Sequence, residues 1–471
     1  MGSPFSQFAK SSVIFFFGAV FSKVIVFLLL PLYTYFLPTD AYGFYDLSTT
    51  IIALVVALSY GQTWVATMQQ MRVAEEGSAQ AVCSGVFVFV CSTVLYGLIL
   101  LILHAISPLK YFPLIFLFGI ADVTQKMAGY VARGYEKNAA FAVSGIIQSA
   151  LMVSLNVFLL AFCSFDVSAL FISYILGSVA QTLYLLFSVR NELRVVPLSW
   201  RLVSRIAKTA APLGLNDVSA WLLNSYSRVV VSQVLSVAAN GIFAVGFRLS
   251  SVMSLGTQCF LYAWQDLSFT NDESRSNPQF FSSAVCQYGQ FLLLLGAVFL
   301  PLLSLVFPLL VGEAYAEAYQ LLPSFLLYAV ISAYSVFMGN IFIVINRSGL
   351  LFASTALACV FTVATCGIIT QKSGLQGAIL TVCASFLICI AARSLILRRQ
   401  IGFRVHVRKL LAPVMAFFFS NLFFLVGNSL GNIISAGLFS ILFIFFYRSR
   451  IAQILVPLVE RARKKGESSR P

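Results

Sequence analysis

The sequence predicts an all-α, polytopic membrane protein. It should have about fourteen transmembrane helices, as two six-helix lobes around a central cavity plus two extra C-terminal helices. Three observations predict this. The chain is 60% hydrophobic and 10% charged, against roughly 45–50% and 25% in soluble domains. Its apolar residues come in stretches of about 20, the length that crosses a ~30 Å hydrocarbon layer as helix. An outer-membrane barrel would instead show ~10-residue alternating segments. Finally, the 30 Lys and Arg are divided very unequally between alternate connections.

The spans read along the chain at 11–37, 42–68, 79–104, 108–132, 139–163, 168–189, 210–235, 238–263, 283–308, 321–346, 349–370, 375–397, 411–427 and 431–447. The first run is too long for the apolar core of a cleavable signal and stays as a span. An even number puts both termini on one side, and the positive-inside rule makes that side cytoplasmic. On that reading 24 of the 30 cations lie inside, Lys110 and Lys372 alone lie outside, and four lie within spans. The outside connections carry Asp40, Asp166, Glu313 and Glu317 instead.

Several function classes fall away. The net charge of +14 sits in short loops beside spans, where it orients the chain, so nucleic acid is not expected as a partner. The nine Cys are scattered without CxxC or Cys/His ligand spacing, so they read as small apolar packing residues. His104 and His406 are isolated. No Walker motif is present, and no outside connection is long enough to carry the acids of a lipid-linked sugar transferase, so no enzyme is expected.

The cytoplasmic connectors at 190–209 and 398–410 divide the chain. Residues 1–195 form an N-terminal six-helix lobe, 196–210 an amphipathic linker and 211–400 a C-terminal six-helix lobe. Residues 401–450 form two additional helices and 451–471 a basic cytoplasmic tail. Within 198–210, Trp200, Val203, Ile206 and Ala210 share one helical face and Arg201, Arg205 and Lys208 another, which suits a helix lying in the headgroup layer. Arg404 and Arg408 precede Ala412-Pro413 much as the first connector precedes Ala211-Pro212. A short internal repeat agrees. Ala41-Tyr42-Gly43-Phe44-Tyr45 follows span 1, and Ala239-Asn240-Gly241-Ile242-Phe243 follows span 7. Six spans per unit makes these parallel repeats about an axis along the membrane normal, with a site between them near the midplane.

The candidate chemistry lies in ionisable residues inside spans: Lys23, Asp122, Lys126, Asp217, Arg228 and Arg248. A charge at bilayer depth costs roughly 2.5–3.5 kcal/mol, so these residues should face protein or water rather than lipid. Asp122, Lys126, Gly129 and Arg133 step by 4, 3 and 4 along one helix face, as do Asp217, Trp221, Asn224 and Arg228. Arg248, Ser251 and Gln258 fall close to one face of span 8. Together they predict a wet, net-cationic cavity between the lobes. Its expected substrate-binding cations are Lys23, Arg228, Arg248 and Lys126, with Trp221, Asn224 and Ser251 as polar lining. Arg offers bidentate donors to phosphate oxygens and Lys a point charge, which suits pyrophosphate or acidic sugars. Bland readings stand beside these. Asp122 and Lys126 can neutralise each other as an i,i+4 pair, and Lys126 and Arg248 can snorkel. Asp217 can pair with an arginine or sit as a helix-end acid. Arg228 shows no local partner. Asp122 and Asp217 are the candidates for coupling to H+ or Na+, and no other cofactor is expected.

Several segments then resemble the polysaccharide-unit flippases of the multidrug/oligosaccharidyl-lipid/polysaccharide exporter superfamily. They are Leu29-Leu30-Pro31-Leu32-Tyr33 through Tyr42-Gly43-Phe44-Tyr45, and Arg133-Gly134-Tyr135-Glu136-Lys137-Asn138. Ala211-Pro212 through Trp221-Leu222-Leu223-Asn224-Ser225 to Ser227-Arg228 is the densest match, continuing to Gly241-Ile242-Phe243. Gly312-Glu313-Ala314-Tyr315 with Ala318, and Leu322-Pro323, follow. Ser227 stands where the family usually carries an acid. The resemblance covers most of the first twelve spans. It implies alternating access between two lobes and translocation of a polyprenyl-pyrophosphate-linked oligosaccharide to the outer leaflet of the cell (inner) membrane. Its implied partners are that substrate, membrane lipids and polysaccharide polymerase machinery. Two other classes stay open: an ion-coupled exporter of small amphipathic solutes on the same fold, and a non-transporting scaffold for polymer assembly. A net-positive cavity would favour the flippase over the exporter.

Overall fold

A computed structural model describes residues 27, 29–73, 77–253, 257, 278–345, 347–426 and 430–447. Lys23, most of span 1, Gln258 and the tail 451–471 lie outside the described residues. Among them ten helices are long and apolar enough to cross a membrane. The architecture is all-helical and matches the expected class.

Helix α1 occupies 29–36 and represents span 1. The expected second span is broken into α2 (Thr39–Tyr60) and α3 (Thr63–Val73). Gly61 and Gln62 both adopt left-handed backbone, φ 50° and 60°. Gly61 needs no Cβ there and closes α2 through its N–H to Ala57 O. Helices α4 (Ser78–Ile106), α5 (Phe112–Gly134), α6 (Asn138–Val157) and α7 (Ser168–Ser188) follow. Pro113 falls in the first turn of α5, where a missing N–H does no harm.

Helix α8 runs unbroken from Trp200 to Asn224, so the basic connector segment and the start of span 7 are one helix. Ser199 caps it, accepting from Leu202 N at 3.4 Å. The face it buries carries Leu202, Ile206 and Ala210, against Ala66 and Val88, while Trp200 stays 68% exposed. Ile206 and Ala210 keep the expected face, but Leu202 is buried with them instead of Trp200 and Val203, because α8 packs against α2, α3, α4 and the Ser348–Ile401 helix. Span 7 breaks at Ser225 and resumes as α9 (Tyr226–Val234). Helix α10 (Val237–Ser250) begins with Ser236 accepting from Ala239 N at 3.0 Å. Then come α11 (Pro278–Leu310), α12 (Ala318–Val344) and α13 (Ser348–Ile401). Helix α13 is two spans folded at Gly374, whose φ of 59° and ψ of −147° suit glycine. Helices α14 (Val407–Val426) and α15 (Leu430–Tyr447) close the chain.

One core unites α2, α3, α4, α5 and α7 around Tyr60, Tyr96, Val123 and Phe171. Others unite α9, α10, α12 and α13 around Val231, Phe243, Phe325 and Ile379. The end of the bundle with few cations is tied together by Tyr315 Oη donating to Leu37 O at 3.0 Å and by the Tyr111–Asp166 hydrogen bond. The opposite, basic end carries the Lys137–Glu192 pair at 2.8 Å.

The two copies of the sequence repeat meet at the sparse end. A Cβ built on Gly43 would lie 1.9 Å from Val237 O, and one on Gly241 2.0 Å from Thr39 O. The contact is reciprocal: 39 and 43 on α2 meet 237 and 241 on α10, a shift of 198 residues in both cases. That is how a pseudo-two-fold axis passing between equivalent helices brings them together. A second glycine seam lies toward the basic end, where a Cβ on Gly214 would meet Gly61 Cα at 2.7 Å.

Candidate functional site

Two spaces follow one another along α2 and α8. The first is a cavity of about 460 Å³ lined by Tyr42, Asp46, Asn224, Arg228, Arg248, Ser251 and Tyr328, among others. The second, of about 380 Å³, is lined by Thr49, Trp64, Asp122, Lys126, Asp217 and Trp221 with apolar neighbours. The polar stripe on span 7 therefore does face inward, but the break at Ser225 and the turn of α8 divide it. Asn224 and Arg228 reach the first space, Asp217 and Trp221 the second. The stripe on α5 divides too. Asp122 and Lys126 line the second space, whereas Gly129 and Arg133 lie against Phe141.

Arg228 is not without a partner, contrary to its local sequence. Its Nη1 lies 3.2 Å from Asp46 Oδ1 and 3.4 Å from Thr50 Oγ1, both on α2. The guanidinium sits over the Phe247 ring at 4.5 Å. The acid missing at Ser227 is supplied from 182 residues away. Asp46 also accepts from Asn240 Nδ2 at 3.2 Å, and the same amide donates to Gly43 O at 3.0 Å. Asp46 belongs among the intramembrane ionisable residues and was absent from the six read from sequence. Its signal was a carboxylate one turn inside a span with no cation within helical reach.

Arg248 lies on the same cavity, near the buried tyrosines Tyr33, Tyr42 and Tyr45. It makes no ion pair among the described residues. The Nε atoms of Arg228 and Arg248 are both buried without a hydrogen-bond partner among the described residues. Ser251 Oγ donates to Arg248 O at 2.7 Å, and Asn224 Oδ1 accepts from Tyr328 Oη at 2.9 Å.

The second space has the opposite balance. Lys126 Nζ is 2.7 Å from Asp122 Oδ2 and 5.4 Å from the Trp64 ring centroid. Asp122 Oδ1 accepts from Tyr174 Oη at 2.7 Å. Asp217 Oδ1 accepts from Gln62 Nε2 at 2.6 Å, and Trp221 Nε1 donates to Thr50 O at 2.8 Å. The single net-cationic cavity expected from sequence is thus replaced by two spaces. One holds two arginines against one aspartate, the other one lysine against two aspartates.

A further buried cation is Arg393, counted above among the inside cations although it lies near the end of the 375–397 span. It is 6% exposed. Its Nη1 donates to Ser335 O and to Ser335 Oγ (2.9 Å), Nε to Ser354 Oγ at 3.2 Å and Nη2 to Thr355 Oγ1 at 3.0 Å. It joins α12 to both arms of α13 without any carboxylate, and does not reach either space.

This arrangement is similar in fold to solved transporters of the MOP superfamily. The chain is similar in structure to a lipid II flippase, MurJ, in an inward closed conformation. The TM-score is 0.67 at 13% sequence identity, over 93% of this chain and 100% of that one. It is also similar to an inward-facing multidrug resistance MATE family transporter of the MOP superfamily (TM-score 0.60, 14% identity, 81% of this chain and 94% of that one). A MOP superfamily transporter from Pyrococcus furiosus aligns at TM-score 0.52 and 14% identity, over 85% of this chain and 96% of that one. At these identities what is shared is the fold. No protein-family model matches the chain, and no curated protein sequence matches it.

Proposed function

We propose that the chain is a membrane transporter that moves an anionic, lipid-linked saccharide across the cell membrane by alternating access. The carrying observation is the first cavity, where two arginines present buried, unpartnered Nε groups beside Asn224, Tyr328 and Ser251. A buried guanidinium donor without an acceptor is costly, and a diphosphate supplies several acceptors in the matching bidentate geometry. Neutral hydroxyl and amide groups around it suit sugar hydroxyls. At about 460 Å³ the cavity takes a head group of pyrophosphate plus sugar, with the lipid tail left between helices. Likeness in fold to a lipid II flippase supports the reading.

The remaining expectations belong to the same proposal. The basic end is cytoplasmic, both termini lie there, and the substrate is a polyprenyl-pyrophosphate-linked oligosaccharide delivered to polymerase machinery outside. The lobes are 1–195 and 211–400. A second reading, an ion-coupled exporter of small amphipathic solutes, is favoured by one observation. The second space gathers Asp122 and Asp217, which can bind H+ or Na+, and the fold is shared with a multidrug transporter.

Complementation tests both. The chain is expressed in cells lacking their own repeat-unit flippase, with Lys23→Ala, Arg228→Ala and Arg248→Ala alongside. Restored surface polymer that is lost in the Arg248→Ala variant, with lipid-linked units accumulating inside, supports the flippase. Normal polymer in all the alanine variants refutes the arginine site, and solute efflux abolished by Asp217→Asn would then favour the exporter.

A further inference from the structure

Among the described residues Asp46 is the one carboxylate lining the first cavity, and it spans the meeting of the two repeats. It sits on α2, yet its two described partners, Arg228 Nη1 at 3.2 Å and Asn240 Nδ2 at 3.2 Å, lie on α9 and α10. Asp46 is one turn from Gly43, and Asn240 is next to Gly241. The polar contacts therefore flank the backbone seam in which those glycines meet. Asn240 is fully buried and donates to Gly43 O as well. Breaking the seam means breaking both Asp46 contacts.

The ion pair is built to be exchanged. Arg228 spends one nitrogen, Nη1, on both Asp46 and Thr50, and its Nε is buried without a partner. An end-on contact of this kind is weaker than the two parallel bonds a guanidinium makes with a phosphate. The pair is only partly shielded, with side chains 22% and 15% exposed, and both residues line the cavity. An anion entering the cavity between Arg228 and Arg248 can take the fork that Asp46 holds by one prong.

We propose that Asp46 is the latch of the sparse end, and that an anionic head group releases it by taking Arg228. The inference rests on the anion-site reading above and adds to it a selectivity rule. A neutral solute competes for neither partner, so it leaves the ion pair, and with it the sparse end, closed. A ligand shifts a conformational equilibrium only through differential affinity for the two states. Here the difference is the fork of Arg228, which is occupied in the closed state and free in the open one.

The experiment uses full-length protein in lipid nanodiscs, with spin labels on Lys110→Cys and Lys372→Cys in a background whose native cysteines are replaced. Both positions are exposed at the sparse end, Lys110 in a turn and Lys372 two residues before the fold of α13, one in each half of the chain. Pulsed dipolar spectroscopy reads the distance between them, and calorimetry separately reads inorganic pyrophosphate binding. Wild type should show a short distance, with a longer one growing about tenfold in population with pyrophosphate. Asp46→Asn keeps an acceptor for Asn240 but loses the charge, and should show the longer distance without any anion. Exchanging the charges, Asp46→Arg with Arg228→Asp, should restore the short distance in the absence of anion. If pyrophosphate binds wild type but the distance stays fixed, or if Asp46→Asn matches unliganded wild type, the latch is refuted while the anion site stands. If pyrophosphate does not bind wild type at all, the anion-site reading falls and the latch with it.

Discussion

Gly241→Ala is the most direct test of the seam between the repeats. Its added Cβ would lie 2.0 Å from Thr39 O, whereas ordinary contact begins at 3.4 Å, so α2 and α10 must part by about 1.4 Å. The obstructing atom is backbone carbonyl, and no rotamer change relieves it. Overpacking of this kind typically costs about 1–3 kcal/mol, occasionally more. If the seam opens during transport, the protein can avoid that cost by populating the open arrangement. Even 1.4 kcal/mol would then change the open population by about tenfold. The spin-label pair at 110 and 372 measures that shift, and thermal unfolding in detergent measures any loss of stability. Gly145→Ala on α6 is the control, since nothing lies within 4 Å of its Cβ. It should be neutral or stabilising by up to about 1 kcal/mol through helix propensity. Should Gly241→Ala match Gly145→Ala in both distance and melting, the two helices are not in the rigid contact described.

Two further predictions concern stability. Arg393→Leu removes the donor shared by Ser335, Ser354 and Thr355, and should lower unfolding stability by at least about 2 kcal/mol, read as a fall in melting temperature. Arg393→Lys should recover part of that. Lys137→Ala breaks an exposed pair with Glu192, whose side chains are 43% and 30% exposed. Water screens such a pair, so the melting temperature should not move measurably. A clear fall would mean that this connection carries more than its own charges.

The all-helical, polytopic class and the order of the described spans were legible because hydrophobic length and charge bias act locally, although only ten of the fourteen expected spans appear as long apolar helices among the described residues. Lys372, between the spans 349–370 and 375–397, marked the fold of α13, and the structure places the turn at Gly374. The repeat was legible from five residues, since its glycine is what lets two backbones touch. What escaped were contacts between distant segments. Asp46 has no cation within a helical turn, so only the assembled fold reveals Arg228 as its partner. Arg393 was hidden by its neighbours Arg398 and Arg399. Yet Val382, Ser385, Cys389 and Arg393 are all buried and step by 3, 4 and 4 along one face. That stripe was readable as an arginine facing inward. The division into two spaces was not readable, because periodicity gives a face but not how far along the helix axis its residues share one cavity.

The repeat also explains why the latch has a single acid. The glycine contact is reciprocal, but the residues around it are not. Shifting Asp46 by the repeat offset lands on Ala244, and shifting Asn240 back lands on Tyr42, and both of these line the first cavity. The first copy thus supplies the carboxylate and the second the amide, and among the described residues the second copy sets no acid of its own beside Arg248. Ala244→Asp would remove that difference. Residue 244 is one turn before Arg248, the i,i+4 order in which an acid pairs well with a following cation. The new carboxylate would occupy Arg248 as Asp46 occupies Arg228, without deleting any native polar group. Pyrophosphate affinity should then fall by at least about tenfold, equivalent to ~1.4 kcal/mol. Ala244→Asn, of nearly the same size but neutral, should bind close to wild type. Equal losses in both variants would mean that space rather than charge at Arg248 governs binding, and the asymmetry of the repeat would then have no part in anion recognition.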